Sequence, residues 1–128
     1  MQKEGEAVRF LVVDDSSTMR RIIRNSLKAA GFDDAVEAEN GEGALARLQA
    51  DSVDFVITDW NMPVMNGIEF VTAMRGNAAF KATPVLMVTT MAEKENILQA
   101  MQAGVTNYVV KPFDAATLKK KIDQILGT

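Results

Sequence analysis

The chain has 128 residues, 48% apolar and 24% charged, which is material for one core rather than two domains. It has no cysteine and no histidine, so disulfides, thiolate zinc sites, a Ser-His-Asp triad, an imidazole base and a phosphohistidine on this chain are all excluded. A net charge of −3 speaks against a dedicated nucleic-acid binder, and no apolar run has the length of a membrane span or the setting of a signal peptide, so a cytoplasmic protein without membrane insertion is expected.

Residues 1–6 carry no pattern and are expected to form a flexible arm ahead of a single domain over 7–128. Ala7–Val13, broken by Arg9, is a short apolar run of strand length. Met19, Ile22, Ile23, Leu27 and Ala30 follow at helical spacing, with Arg20, Arg21, Arg24 and Lys28 opposite. Ser16 or Ser17 caps that helix and Gly31 stops it. Ala35–Glu39 alternates, which suits an edge strand with one wet face. Ala44, Leu45 and Leu48 form a second apolar stripe. Phe55–Ile57 is a third strand, and Phe70, Val71 and Met74 predict a helix after Gly67. Pro84–Val88 is a fourth strand. Thr90 to Glu93 has the form of a capping box for a helix running to Gly104. Tyr108–Val110 is the last strand. Asp114 caps a final helix that turns Leu118, Ile122 and Ile125 inward and ends at Gly127. The order βαβαβαβαβα predicts an α/β domain, a five-stranded parallel sheet with helices on both faces. The near-continuous apolar strands fit burial on both sides.

Open α/β sheets bind ligands at the carboxyl ends of their strands. There the sequence places Asp14 and Asp15 after the first strand, Asp59 after the third, Thr89 and Thr90 after the fourth, and Lys111 after the fifth. Each residue alone has a plainer role: a cap, a turn or a surface lysine. Together, three crowded carboxylates must either raise a pKa or hold a cation. Without His or Cys they form a hard oxygen site, suited to Mg²⁺ or Mn²⁺ rather than zinc. Such an ion shares its shell with phosphates, Lys111 adds a point charge, and an Asp can be the nucleophile that forms an aspartyl-phosphate.

The motifs FLVVDDSSTMRRIIRN, VITDWNMP, VLMVTT and AGVTNYVVKPF stand in order from about Arg9 to the C-terminus. Together they resemble the receiver domains of two-component response regulators, in their stand-alone chemotaxis form. The resemblance implies a doubly wound, flavodoxin-like sheet of order 2-1-3-4-5 with five helices. It implies that Asp59 accepts a phosphoryl group, that Asp14, Asp15, Asp59 and the backbone carbonyl of Asn61 hold Mg²⁺ (or Mn²⁺), and that Thr89 and Lys111 engage the phosphoryl oxygens. Tyr108 is then the aromatic that turns inward when Thr89 moves, and the Lys111–Pro112 bond is cis. The implied donor is a chemotaxis histidine kinase and the implied target the flagellar motor switch protein, with a phosphatase as a further partner. The target surface comprises the fourth helix, fifth strand and fifth helix, around Lys94, Tyr108 and Lys119. Such a protein is a monomeric signalling switch that catalyses only its own phosphorylation and dephosphorylation. No output domain follows residue 128 in this sequence, so its effect is expected to travel by protein contact.

Three positions depart from the familiar pattern. Met91 stands where the best-known chemotaxis regulators carry Glu, Thr90 replaces Ala, and Asn66 replaces Asp. Met91 and Asn61 are expected to flank the path of the hydrolytic water, so Met91 should alter the acyl-phosphate lifetime and the docking of a phosphatase or motor protein. Alternatives are a receiver acting as a phosphate sink or in a non-motility pathway, a degenerate receiver that only binds, and, as a lesser one, a Mg²⁺-dependent phosphatase. Gly41, Gly43 and Ala46 also mimic a dinucleotide fingerprint, with Asp59 lying 18 residues past Gly41, but the strand before them is the weak one. The Lys119–Lys121 run reads as a solvated helix face rather than a nucleic-acid patch.

Overall fold

Residues 8–127 are described by a computed structural model; the arm assigned to 1–6 lies outside the described residues. In chain order the elements are β1 (Phe10–Val13), α1 (Ser17–Ala29), β2 (Ala35–Ala38), α2 (Gly41–Ala50), β3 (Phe55–Thr58), α3 (Gly67–Arg75), a 3-10 turn (Ala78–Phe80), β4 (Val85–Thr89), α4 (Lys94–Ala103), β5 (Asn107–Val110) and α5 (Ala115–Leu126). The strands form one sheet of order β2-β1-β3-β4-β5, and every pairing is parallel.

Strand alternation divides the core between the two faces. Phe10, Val12, Phe55, Ile57, Leu86, Val88 and Val109 pack with Ile23 and Leu27 of α1 and Leu118 and Ile122 of α5. Leu11, Val13, Val56, Val85 and Met87 point the other way, onto Leu48 of α2, Phe70 and Met74 of α3 and Ala100 of α4. β1, β3 and β4 are therefore buried along their whole length, which is why they read as unbroken apolar runs. Each fully buried Leu, Ile or Phe contributes about 1.5–3 kcal/mol. β2, at the sheet edge, keeps Glu37 partly exposed and buries Ala38, as its alternation predicts.

Two local expectations are corrected. Ile22 does not join the buried stripe of α1: it is 43% exposed, because Ile23 and Leu27 define that stripe and a neighbour lies a quarter turn away. The fourth helix does not start from a Thr90–Glu93 capping box. It starts at Lys94, and Glu93 makes no side-chain cap. The backbone ahead of it is engaged elsewhere: the Met91 N–H donates to Thr89 Oγ1 and the Met91 carbonyl accepts from the Tyr108 hydroxyl. The capping box found in the structure opens α3, where Asn66 and Glu69 exchange side-chain and backbone hydrogen bonds. Asn66, one of the three departures, thus keeps a capping function.

The loop between β3 and α3 is the tightest part of the chain. Gly67 lies so close to the carbonyl of Asp59 that a Cβ there would come within 2.1 Å of it, and its N–H donates to the Trp60 carbonyl at 2.8 Å. The Gly41 N–H is taken by the Met65 carbonyl at 2.9 Å, and a Cβ on Gly41 would strike Met65 and Phe70. This glycine receives the neighbouring loop rather than a pyrophosphate, which removes the basis of the dinucleotide reading. At the crest of the loop the Met65 N–H bonds to the Pro63 carbonyl at 2.7 Å, closing a γ-turn around Val64. Val64 has φ +70° and is 75% exposed, a β-branched residue in the left-handed region with little packing to compensate. Val64→Gly should therefore raise unfolding stability by about 1 kcal/mol. Urea denaturation checks this, and a midpoint at or below that of the parent protein refutes it.

Candidate functional site

Register builds the site. Val13 of β1 is paired with Thr58 of β3, and Thr89 of β4 with Val110 of β5, so the strands end on one edge and the next residues emerge side by side. The ladder continues one step beyond them. The Asp59 N–H bonds to the Val13 carbonyl at 2.9 Å, Asp14 to Ala38 at 3.2 Å, and Lys111 to Thr89 at 2.8 Å. These bonds aim two carboxylates and an ammonium into one space.

Lys111 lies between the two acids. Its Nζ donates to Asp14 Oδ2 at 3.0 Å and to Asp59 Oδ2 at 3.1 Å, and its side chain is 12% exposed. Burial alone would lower the pKa of this ammonium. The hydrogen bonds and charges of Asp14 and Asp59 outweigh that and hold it above the usual lysine value. The second oxygen of each acid is also bound: Asp14 Oδ1 accepts from the Ser16 N–H at 2.9 Å and Asp59 Oδ1 from the Trp60 N–H at 2.6 Å. Asp15 is exposed at the rim and completes the cluster, since Asp14, Asp15 and Asp59 each place one carboxylate oxygen within 4.8 Å of the others. Three carboxylates, one buried, one partly buried and one exposed, with no sulfur or nitrogen ligand among them, fit a hard divalent cation such as Mg²⁺. An ammonium already neutralises part of their charge.

The other residues singled out from the sequence fall around this centre. Thr89 is fully buried and its hydroxyl accepts from the Met91 N–H at 3.3 Å, whereas Thr90 is exposed. Tyr108 is buried with its hydroxyl donating to the Met91 carbonyl; burial, with a smaller contribution from the charge of Asp59, raises its pKa. Met91 therefore joins Thr89 to Tyr108 through its backbone, while its partly buried side chain packs on the core. Asn61 is exposed in the loop after Trp60, and the Lys111–Pro112 bond is cis. Lys94 opens α4 in solvent, and Lys119 on α5 is paired with Asp123 at 2.6 Å. A groove of about 440 Å³ beside the site, walled by Tyr108, Val110, Pro112, Phe113 and Thr117, contains none of the three aspartates. Arg20 is the residue that sequence reasoning missed. Helical periodicity puts it with the solvated cations of α1, yet its side chain is only 13% exposed and its Nη1 donates to the Asp14 carbonyl at 2.6 Å. No sequence signal marks that contact, because it depends on where α1 crosses the edge of the sheet.

Comparison with known proteins finds relatives that match nearly the whole chain. The chain is 48% identical over 122 residues to the chemotaxis protein CheY1 of Helicobacter pylori, covering 94% of this chain and 98% of that one. It is 51% identical over 118 residues to the chemotaxis protein CheY-3 of Vibrio cholerae, covering 92% and 91%. The crystal structure of the Vibrio cholerae chemotaxis protein CheY4 superposes with a TM-score of 0.88 at 38% identity, covering 94% of this chain and 99% of that one. The model for the response regulator receiver domain matches residues 10–123. By sequence match, sheet order and fold, this chain belongs to the response regulator receiver domain family.

Proposed function

We propose that this protein is a phosphorylation-activated chemotaxis response regulator that takes a phosphoryl group onto Asp59 from a histidine kinase in a Mg²⁺-dependent reaction. The observation that carries the reading is the Lys111 ammonium shared by Asp14 and Asp59, with Asp15 beside them, at the carboxyl edge of a parallel sheet. Asp59 Oδ2 attacks the phosphorus of the donor, the P–N bond to the kinase imidazole breaks, and its electron pair stays with the leaving imidazole. Asp14, Asp15, Asp59 and the Asn61 carbonyl would hold the ion, which when bound neutralises phosphoryl charge and orients the donor. Lys111 moves its hydrogen bond from the Asp59 carboxylate to a phosphoryl oxygen. The Thr89 hydroxyl leaves the Met91 N–H for the same group, and the 90–93 segment with Tyr108 is the two-state element that this biases. The altered surface lies on α4, β5 and α5, where Leu98, Met101 and Val110 are already exposed beside Lys94 and Lys119. A flagellar motor switch protein is the proposed target. Among the described residues no helix is long and apolar enough to cross a membrane.

Intact-mass measurement after incubation with a small phosphodonor tests the reaction. One phosphoryl group should appear with Mg²⁺, and none with chelator or in Asp59→Asn; an adduct that persists in Asp59→Asn refutes the assignment. Binding of purified motor-switch protein, with and without a phosphate mimic, then separates motor output from a phosphate sink.

Met91→Glu should speed dephosphorylation severalfold, since a carboxylate can orient a water where a thioether cannot. An unchanged rate, followed by loss of the adduct over time, removes Met91 from any role in lifetime.

Lys111→Met should lower stability by about 2–4 kcal/mol at pH 7 in metal-free buffer by leaving Asp14 and Asp59 unpaired, and Mg²⁺ should restore part of the loss. A group whose folded pKa is raised stabilises fully below its unfolded value, so this contribution should be complete at neutral pH and fade as pH climbs above about 10. Chemical denaturation of both proteins between pH 7 and pH 11 measures it. A gap that does not narrow in alkali contradicts the ion-pair origin.

A further inference from the structure

Arg20 is the only arginine of α1 that reaches the acidic edge of the sheet. Its fork is divided: Nη1 donates to the backbone carbonyl of Asp14 at 2.6 Å, and Nε donates to Glu37 Oε1 on β2 at 2.7 Å. Glu37 is itself held, because Arg24 Nη1 takes its other oxygen and Arg47 Nε donates to its backbone carbonyl at 3.2 Å. Burial opposes ionisation of Glu37, but the hydrogen bonds and charges of Arg20 and Arg24 outweigh it and keep its pKa below the usual carboxylate value. The other backbone group of Asp14 is fixed from the same strand, its N–H bonding to the Ala38 carbonyl at 3.2 Å. Both peptide groups flanking Asp14 are thus tied to β2, one directly and one through Arg20. The carbonyl that Arg20 holds belongs to the peptide joining Asp14 to Asp15, so its orientation fixes the direction in which Asp15 leaves the sheet. An exposed ion pair alone would contribute only a few tenths of a kcal/mol and would have no reason to reach a backbone carbonyl.

We propose that Arg20 is a positioning residue for the cation site: clamped by Glu37, its guanidinium sets the Asp14–Asp15 peptide so that both carboxylates face the ion. The inference rests on the Mg²⁺ reading above and assigns Arg20 and Glu37 a place in it. A planar fork is needed to span two acceptors at once, so lysine is not an equivalent. Groups that orient metal ligands in this way commonly change affinity by about 10-fold when removed.

The sign of the effect separates positioning from charge. Arg20 is a cation near an anionic site, so if it acted only through space its removal would tighten the binding of a divalent ion. If it positions the loop, its removal loosens binding. The experiment measures Mn²⁺ binding by the free-ion EPR signal, and Mg²⁺ by competition, for the full-length protein, Arg20→Gln, Arg20→Lys and Glu37→Gln, with near-UV circular dichroism to show that each is folded. Expected are a weakening of about 10-fold in Arg20→Gln, a smaller weakening in Arg20→Lys, and a weakening in Glu37→Gln. An Arg20→Gln protein that binds as tightly as the parent or more tightly overturns the proposal while leaving the Mg²⁺ reading intact. Should Arg20→Gln not fold, Arg20→Lys decides: weaker binding supports the proposal and unchanged binding overturns it. Unchanged binding in Glu37→Gln removes Glu37 from the clamp. A parent protein that binds neither ion overturns the Mg²⁺ reading itself, and the proposal with it.

Discussion

Two carboxylates from different strands, Asp14 and Asp59, converge on one side of the sheet, where they would repel each other without a cation between them. The Lys111 ammonium lies there, 97 residues from Asp14 in sequence and about 3 Å from it in space. Everything near the site is arranged around that contact. The ladder bonds beyond the strand ends set the backbone of all three residues, and Ser16 and Trp60 take the remaining carboxylate oxygens. The arrangement is stable but incomplete, since Asp15 adds a third carboxylate that the lysine does not bond. A divalent cation and a phosphoryl group would rebalance the same charges without rebuilding the fold.

The segment after β4 links this chemistry to the rest of the molecule. Thr89 and Tyr108 do not bond each other; both bond Met91, one to its N–H and the other to its carbonyl. A helix beginning at Thr90 would use the Met91 carbonyl internally and leave the Met91 N–H among its unsatisfied first-turn donors. Its later start leaves residues 90–93 outside the helix, tied to their surroundings through the Met91 N–H and carbonyl. The segment lies next to α4, a helix with an exposed face. The proposed signalling needs no larger rearrangement than a change in these bonds.

Rigidity is concentrated on the opposite side of the site. Gly67 brings α3 onto the Asp59 carbonyl and Gly41 brings α2 onto the Met65 carbonyl, so two helix starts brace the loop that carries the aspartate. The strained turn at Val64 lies on the same loop. That division suits the proposed switch, in which Asp59 stays in place while the 90–93 segment moves.

Much of this was legible in the sequence, and the reason lies in the fold. A parallel sheet buried on both faces must write its strands as apolar runs, and its ligand edge must fall where those runs stop, so Asp14, Asp15, Asp59, Thr89 and Lys111 could be read as one constellation before any coordinates. Asp114 and one of the two serines, Ser16, cap helices by local chemistry, and the edge position of β2 followed from its alternation. Other features depend on how elements cross. Ile22 and Ile23 are equally apolar, and only the angle of α1 on the sheet decides which is buried. Thr90 to Glu93 has good capping residues, and only the nearness of Tyr108 takes its backbone for another purpose. Arg20 is indistinguishable in sequence from Arg21, yet one bonds the Asp14 carbonyl and the other lies in solvent. Sequence alone determined which residues line the edge, because periodicity and strand ends are local properties. Tertiary structure alone decided how those residues are held, because hydrogen bonds between segments far apart in the chain exist only once the sheet has brought them together.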